Sequence, residues 1–352
     1  MRVERVLGVD LGGSRCRALL ADTGGFRHRA GHARGGHPGS DLAGALAGVA
    51  RAVAAALEGT PPSAVCRVVL GAAGYSAVAT PATAQALAQV WSAAGLRCPI
   101  RVRPDCEVAF AAGTAAPNGI VLVSGTGSMA ARIADRSMAG RAGGHGWILG
   151  DEGSGFWLGR EAVRAALRVL ELGAPLSGEL VSRVVEAVLG GKTPDTDLLR
   201  TFGAITTWVH REAPAGLAAL APQVLAAARV GDAEAAALLD RAAELLVELA
   251  LRLWRAGEPL VLAGGLLTAG RLGTLVSDRL RTAGASVHRA EEPVAGAAWL
   301  ALLDIWDSDY GRALSNDPMT AHVRLMGAAA NQANQANHEY QNQERRTERT
   351  PG

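Results

Sequence analysis

Two stretches of this chain follow one pattern: DLGGSRCRALLAD at residues 10–22 and SGTGSMAARIAD at residues 124–135. An apolar run precedes each copy, VERVLGV in the first case and GIVLV in the second, and an alternating run follows each turn. Apolar strand, glycine turn and second strand together make a β-hairpin. Two readings account for the repetition. Either one folding unit is used twice, or any hairpin turn collects Gly and Ser. The strands on both sides of each turn favour the first.

The surroundings extend the parallel. The first phrase continues into FRHRAGHA, giving three consecutive antiparallel strands. After the loop RGGHPGS come an alanine-rich helix over 41–58, a strand VCRVVLGAAG, a helix over about 81–94 and a strand PIRVRPD. The second phrase leads through SMAGRAGG and GHGWILGDEGSG into helices over 155–172, 175–189, 197–211, 216–229 and 232–256. A strand PLVLAGG, a helix over 271–283, a strand ASVHRA and a helix over 294–306 close the pattern. The expectation is an α/β protein with lobes over 1–115 and 116–293, the helix 294–306 packing back on the first. From about Ser308 the composition turns polar and loses apolar periodicity, so 308–352 is expected to be a disordered tail.

Composition narrows the class. At 352 residues, 49% hydrophobic and 19% charged, the chain has apolar material for one large core or two medium ones. With 35 basic against 33 acidic residues it has no field for steering a polyanion, and no nucleic acid partner is expected. It contains no apolar run of about 18 residues and no basic segment followed by an apolar stretch at its start. A cytoplasmic protein without membrane contact is therefore expected. Cys16, Cys66, Cys98 and Cys106 form no C-x-x-C pair and have no histidine pattern beside them, so they read as small apolar residues.

Several segments suit chemistry. At Gly12 and Gly13 backbone N–H groups stand without a Cβ over them, which is how phosphate oxygens are cradled. Asp10, at the strand end, is placed to hold magnesium directly or through water. D-x-G-G is also an ordinary tight turn, and the residues alone leave both readings open. G-T-G-S-M-A matches the dinucleotide fingerprint superficially, but MAARIAD alternates like a strand where that fingerprint needs a helix. A second phosphate hairpin is expected there instead. GGKT at 190–193 follows a helix and reads as a C-cap and linker. Asp105 closes a strand and opens a helix, as a cap worth ~1 kcal/mol or as a general base at the strand's C-terminal end. GGHGWILGDEGSG at 143–155 gathers His145, Trp147, Asp151 and Glu152 among glycines. Its acids and indole suit the hydroxyls and apolar face of a sugar, against the plainer reading of a capped helix with a buried tryptophan. AGGLLTAG at 263–270 suits a close backbone approach by a nucleotide.

In this order, DLGGSR, GAAGYS, PD before a helix, SGTGS, GHGWILGDEGSG and LAGGL, the motifs over 6–303 resemble the BadF/BadG/BcrA/BcrD ATPase family and, within it, the N-acetylglucosamine kinases. GDEGSG is the most specific part. The resemblance implies duplicated ribonuclease H-like, actin-like ATPase domains forming two lobes around a central nucleotide cleft. It implies ATP and Mg2+, with Gly12, Gly13, Ser14 and Arg15 as the first phosphate loop and Gly125, Thr126, Gly127 and Ser128 as the second. Gly264 and Gly265 would lie under the adenosine, and Asp10 would organise the magnesium. Asp105 would take the proton of a sugar's 6-hydroxyl as it attacks the γ-phosphate. His37, His145 and Asp151 would touch the sugar. The implied activity is ATP-dependent phosphorylation of an amino sugar, N-acetylglucosamine or glucosamine, with a homodimer by analogy. A non-catalytic sugar- and ATP-binding regulator, or another ATPase of the same family, is the competing implication. The departures fall on the sugar side. His37 and Met129 stand where those kinases have Asn, and His145 stands in place of the tryptophan of GGWG. A methionine neither donates nor accepts as an amide does, which points to altered sugar specificity.

Overall fold

The structure, a computed structural model, describes residues 4–173, 178–191, 198–212, 214–307 and 317–327. The chain divides into two compact units, Met1–Ala116 with Ala290–Gly352, and Pro117–Arg289.

In the first unit β1 (Arg5–Leu11), β2 (Arg15–Asp22) and β3 (Arg27–Arg34) form an antiparallel meander. Asp41 then accepts the Gly44 N–H at 2.9 Å and starts α1 (Leu42–Leu57), whose small residues bury one face. β4 (Val65–Ala72) joins β1 in parallel, followed by a turn of helix α2 (Tyr75–Val78) and by α3 (Pro81–Ala93). β5 (Ile100–Pro104) runs parallel to β4 and leads directly into α4 (Asp105–Gly113). The sheet order is β3-β2-β1-β4-β5. Alternation along β1 sends Leu7, Val9 and Leu11 to the core shared with α1 and α3, and Val6 to the opposite core.

The second unit repeats this topology. β6 (Gly119–Ser124), β7 (Ser128–Ala134) and β8 (Ser137–Gly143) are an antiparallel meander, and β9 (Pro259–Ala263) and β10 (Ser286–Arg289) extend it in parallel from β6. Its order, β10-β9-β6-β7-β8, is the first sheet's order read from the other edge. Where the first unit has the single crossover helix α1, the second has α5 (Gly155–Glu171), α6 (Glu179–Leu189), α7 (Leu198–Glu212), α8 (Ala215–Ala218), α9 (Ala221–Arg229) and α10 (Ala233–Leu251). α11 (Gly270–Thr282) bridges β9 and β10. α12 (Pro293–Trp306) then belongs to the first unit, packed on β1 and α4.

Four details differ from expectation. SMAGRAG is the full strand β8, exposed along most of its length, so it lacks the apolar alternation that marks a half-buried strand. The helix expected over 216–229 is two, α8 and α9, because Pro222 starts a new helix after Leu220. Tyr75–Val78 is helical. Within the segment expected to be disordered, residues 318–327 form a helix. Asp317 caps it by accepting the Thr320 N–H at 2.8 Å, and Ala321, His322 and Leu325 bury one side. Residues 308–316 and 328–352 lie outside the described residues, as do Lys192 and Thr193 of GGKT and Pro175 at the expected start of a helix. Gly190 is the left-handed C-cap of α6, with φ 66°.

Candidate functional site

In the first unit the reactive groups gather at the C-terminal ends of the parallel strands. Asp10, the last residue but one of β1, lies opposite Arg17 on β2, and Asp105 opens α4 directly after β5. Burial first, then the Asp105 carboxylate, push the Asp10 pKa up to about 7, with Arg17 opposing. Asp105 is also raised, by burial above all, against the Cys106 N–H and the His37 ring. Its Oδ1 accepts the adjacent Cys106 N–H at 2.9 Å, whereas a cap would take an N–H two or three residues on. Pro104 occupies the N-cap position without a side-chain bond.

Beside these carboxylates the turn from Gly12 to Arg15 is closed by the Gly12 N–H on Arg15 O at 2.9 Å. The loop after β3 braces it, Gly35 donating to Ser14 O at 3.0 Å. A Cβ on Gly13 would meet nothing within 4 Å. Internal packing therefore does not require glycine at this position, which leaves the backbone bare to whatever approaches. His37, two residues past Gly35, is exposed, and its Nδ1 accepts the Gly39 N–H at 3.2 Å. An apolar groove of about 600 Å³ in this unit, lined by Tyr75, Leu87, Trp91 and Ile100 among others, contains neither acid.

In the second unit the SGTGS hairpin is tied down along its length. Gly125 O and Thr126 O accept N–H groups from Gly155 and Phe156, at 2.8 and 3.1 Å. Ser124 Oγ donates to Gly153 O at 3.3 Å and Ser128 Oγ to Glu152 O at 2.8 Å. Asp151, in a left-handed conformation with φ 61°, accepts the Ser128 N–H at 3.0 Å. Its carboxylate also lies against Gly127, where a Cβ would come within 2.7 Å of Oδ1. The hairpin thus uses one oxygen of the acid that the sequence assigned to a sugar. Gly264, with φ 89°, packs so closely on the hairpin that a Cβ would fall 2.2 Å from Ser124 O, while Gly265 is open. His145 is exposed, folded over Gly150, and Met129 lies beneath Gly144. Trp147 is not the buried tryptophan of the plainer reading: it is 42% exposed and meets Phe156 edge-on at 5.7 Å.

Residues 7–301 match the BadF/BadG/BcrA/BcrD ATPase family. The chain belongs to that family. Over 107 residues it is 32% identical to the N-acetylmuramic acid/N-acetylglucosamine kinase of Clostridium acetobutylicum, a match spanning 30% of this chain and 32% of that relative. An N-acetylglucosamine kinase candidate from Chromobacterium violaceum has a solved structure similar over 86% of this chain and all of its own, at 26% identity and TM-score 0.65. The ROK family glucokinase of Streptomyces griseus, solved with glucose and AMPPNP, shares the fold at 22% identity and TM-score 0.52, over 84% of this chain and 99% of its own. The repeated unit is thus the ribonuclease H-like domain of the actin-like ATPases.

For an ATPase family, the fit to nucleotide and metal is testable on the chain's own groups. Among the described residues no three His, Cys, Asp or Glu side chains form a metal cage. Magnesium needs none, since it is held by one or two carboxylates together with substrate phosphates. Asp10 and Asp105, both costly to ionise where they lie, would be relieved by a divalent cation, so the residues fit the group. Sequence reasoning missed Arg17, the cation facing Asp10. Its signal is the register of a hairpin turning at Gly13, which sets position 17 opposite position 10. No described helix is long and apolar enough to cross a membrane.

Proposed function

We propose that the protein is an ATP-dependent sugar kinase that phosphorylates the 6-hydroxyl of an amino sugar, N-acetylglucosamine or glucosamine. One observation carries this reading: two buried carboxylates with raised pKa values, Asp10 and Asp105, beside an open glycine hairpin in a chain of this ATPase family. Asp105 is the general base. Its pKa is raised by burial, which makes the carboxylate a stronger acceptor for the hydroxyl proton as the oxygen attacks phosphorus. Asp10 would hold Mg2+, which supplies charge neutralisation to the transferred phosphoryl group when bound.

The rest is alignment. The turns formed by Gly12, Gly13, Ser14 and Arg15, and by Gly125, Thr126, Gly127 and Ser128, cradle phosphate oxygens with those N–H groups that do not close the turns themselves, and Gly264 and Gly265 lie under the adenosine. His37, His145 and the second oxygen of Asp151 contact the sugar. His37 has the strongest support among these, since its ring already acts on the Asp105 carboxylate. The names of the Clostridium and Chromobacterium relatives support the amino-sugar class.

The test is ADP release by the purified protein with Mg-ATP and glucosamine, N-acetylglucosamine, N-acetylmuramic acid, N-acetylmannosamine or glucose in turn. Stimulation by an amino sugar, with the product phosphorylated at the 6-position, is expected. Binding of ATP and sugar without turnover would make the chain a regulator on a kinase fold.

A further inference from the structure

A set of contacts that phosphoryl transfer does not use meets at the helix over 318–327, which lies beyond the family-matched segment ending at residue 301. At one end this helix grips the β2–β3 turn. Arg324 donates to Gly24 O at 3.1 Å and stacks its guanidinium over the Phe26 ring at 4.6 Å, and Arg27 Nε donates to Leu325 O at 2.8 Å. Along its buried side, His322 meets the Trp299 ring edge-on at 4.6 Å, and the Trp299 indole donates to Pro318 O at 3.3 Å.

The contact that matters is with α4. His322 Nε2 lies 2.8 Å from Ala111 O, in the last turn of α4, where carbonyls have no partner within the helix. Burial holds the His322 pKa below the usual imidazole value, so the ring is neutral and carries its proton on Nε2 to donate to that carbonyl. On another side α4 rests on α12, where a Cβ on Gly296 would fall 2.0 Å from Val108 O. The helix that begins with Asp105 is thus seated backbone-to-backbone on α12 and fastened at its far end by His322. From Ala111 to Asp105 is about 9 Å of helix axis, too short for the helix to absorb a tilt before it reaches the carboxylate.

We propose that the C-terminal helix is a clamp on α4 and that His322 is a positioning residue for Asp105. The proposal rests on Asp105 being the general base, so its test needs a readout independent of turnover. Full-length His322→Leu and His322→Gln are compared with wild type by hydrogen exchange of the α4 amides and by kcat and KM. Glutamine keeps an N–H that reaches Ala111 O; leucine does not.

For His322→Leu, α4 protection and kcat are each expected to fall about tenfold, with both KM values within about twofold, because misplacing a catalytic group slows the step without weakening binding. His322→Gln is expected to restore both. Unchanged α4 protection in His322→Leu would overturn the clamp, and lost protection with full kcat would overturn the positioning role. If wild type transfers phosphate to no sugar, the kinase reading fails, and the clamp is decided by exchange alone. Should His322→Leu not fold, Arg324→Ala frees the helix from Gly24 and Phe26 without opening a cavity, and the same loss of α4 protection is expected.

Discussion

At the first glycine hairpin, the turn from Gly12 to Arg15 is steadied by Gly35, while the acids beside it, Asp10 and Asp105, are buried against their own charge. At the second, the same kind of turn is fastened by Asp151, Glu152, Gly153, Gly155 and Phe156. One topology has been used twice, and the two copies have diverged in what their turns do. The first concentrates ionisable groups that cost stability, and the second is a frame tied down by its own hydrogen bonds.

Removing the proposed general base beside the first hairpin should have the largest effect. Asp105→Asn is expected to lower kcat by roughly 10²–10⁴-fold with the fold intact, measured by ADP release with the best sugar. A variant retaining near wild-type turnover would remove Asp105 from the base role.

Asp10→Asn tests the cost of the buried charge in the ligand-free protein. With a folded pKa of about 7 against an ordinary 3.8, ionising Asp10 costs stability as pH rises between those values, and the full penalty stands above 7. The variant should match wild type near pH 4 and exceed it at pH 8 by on the order of 2–4 kcal/mol in denaturant unfolding. Equal stability at pH 8 would mean that the burial carries no such cost.

The second hairpin should respond in the opposite direction. Asp151→Ala leaves the Ser128 N–H without its acceptor and is expected to destabilise the protein by about 1–3 kcal/mol at pH 7. Stability within error of wild type would show that the 151–156 loop does not hold the hairpin. The smallest effect belongs to Gly13→Ala. With no atom within 4 Å of the new Cβ, stability should change by less than about 0.5 kcal/mol, while the KM for ATP rises. An unchanged KM would place the phosphates elsewhere.

Both hairpins were legible because glycine and serine between apolar strands leave few other folds, and the order of strands and helices followed from periodicity. What could not be read has physical causes. β8 is exposed on most positions, so no alternation announces it. Asp151 points at Ser128 only because its own backbone turns left-handed, which nothing in GDEG signals. The 318–327 helix is short and buries only Ala321, His322 and Leu325, a stripe hidden in a polar background although Asp317 and Pro318 mark its start. In the first unit, three antiparallel strands and the strand ends carrying Asp10 and Asp105 were readable. That Asp105 adds to the cost of ionising Asp10 required the fold.

The return of α12 to the first unit has a consequence for how the chain matures. The second unit is continuous, Pro117–Arg289, whereas the first is assembled from the two ends of the sequence. During synthesis the strands made earliest therefore wait, with Val6 and Val69 of β1 and β4 uncovered, until Trp299 and its neighbours leave the ribosome. The unit made second can finish first. A chain stalled or truncated before α12 would display a bare sheet face, a target for chaperones and proteases, so the sheet that carries Asp10 is covered on both sides only after α12 has been made.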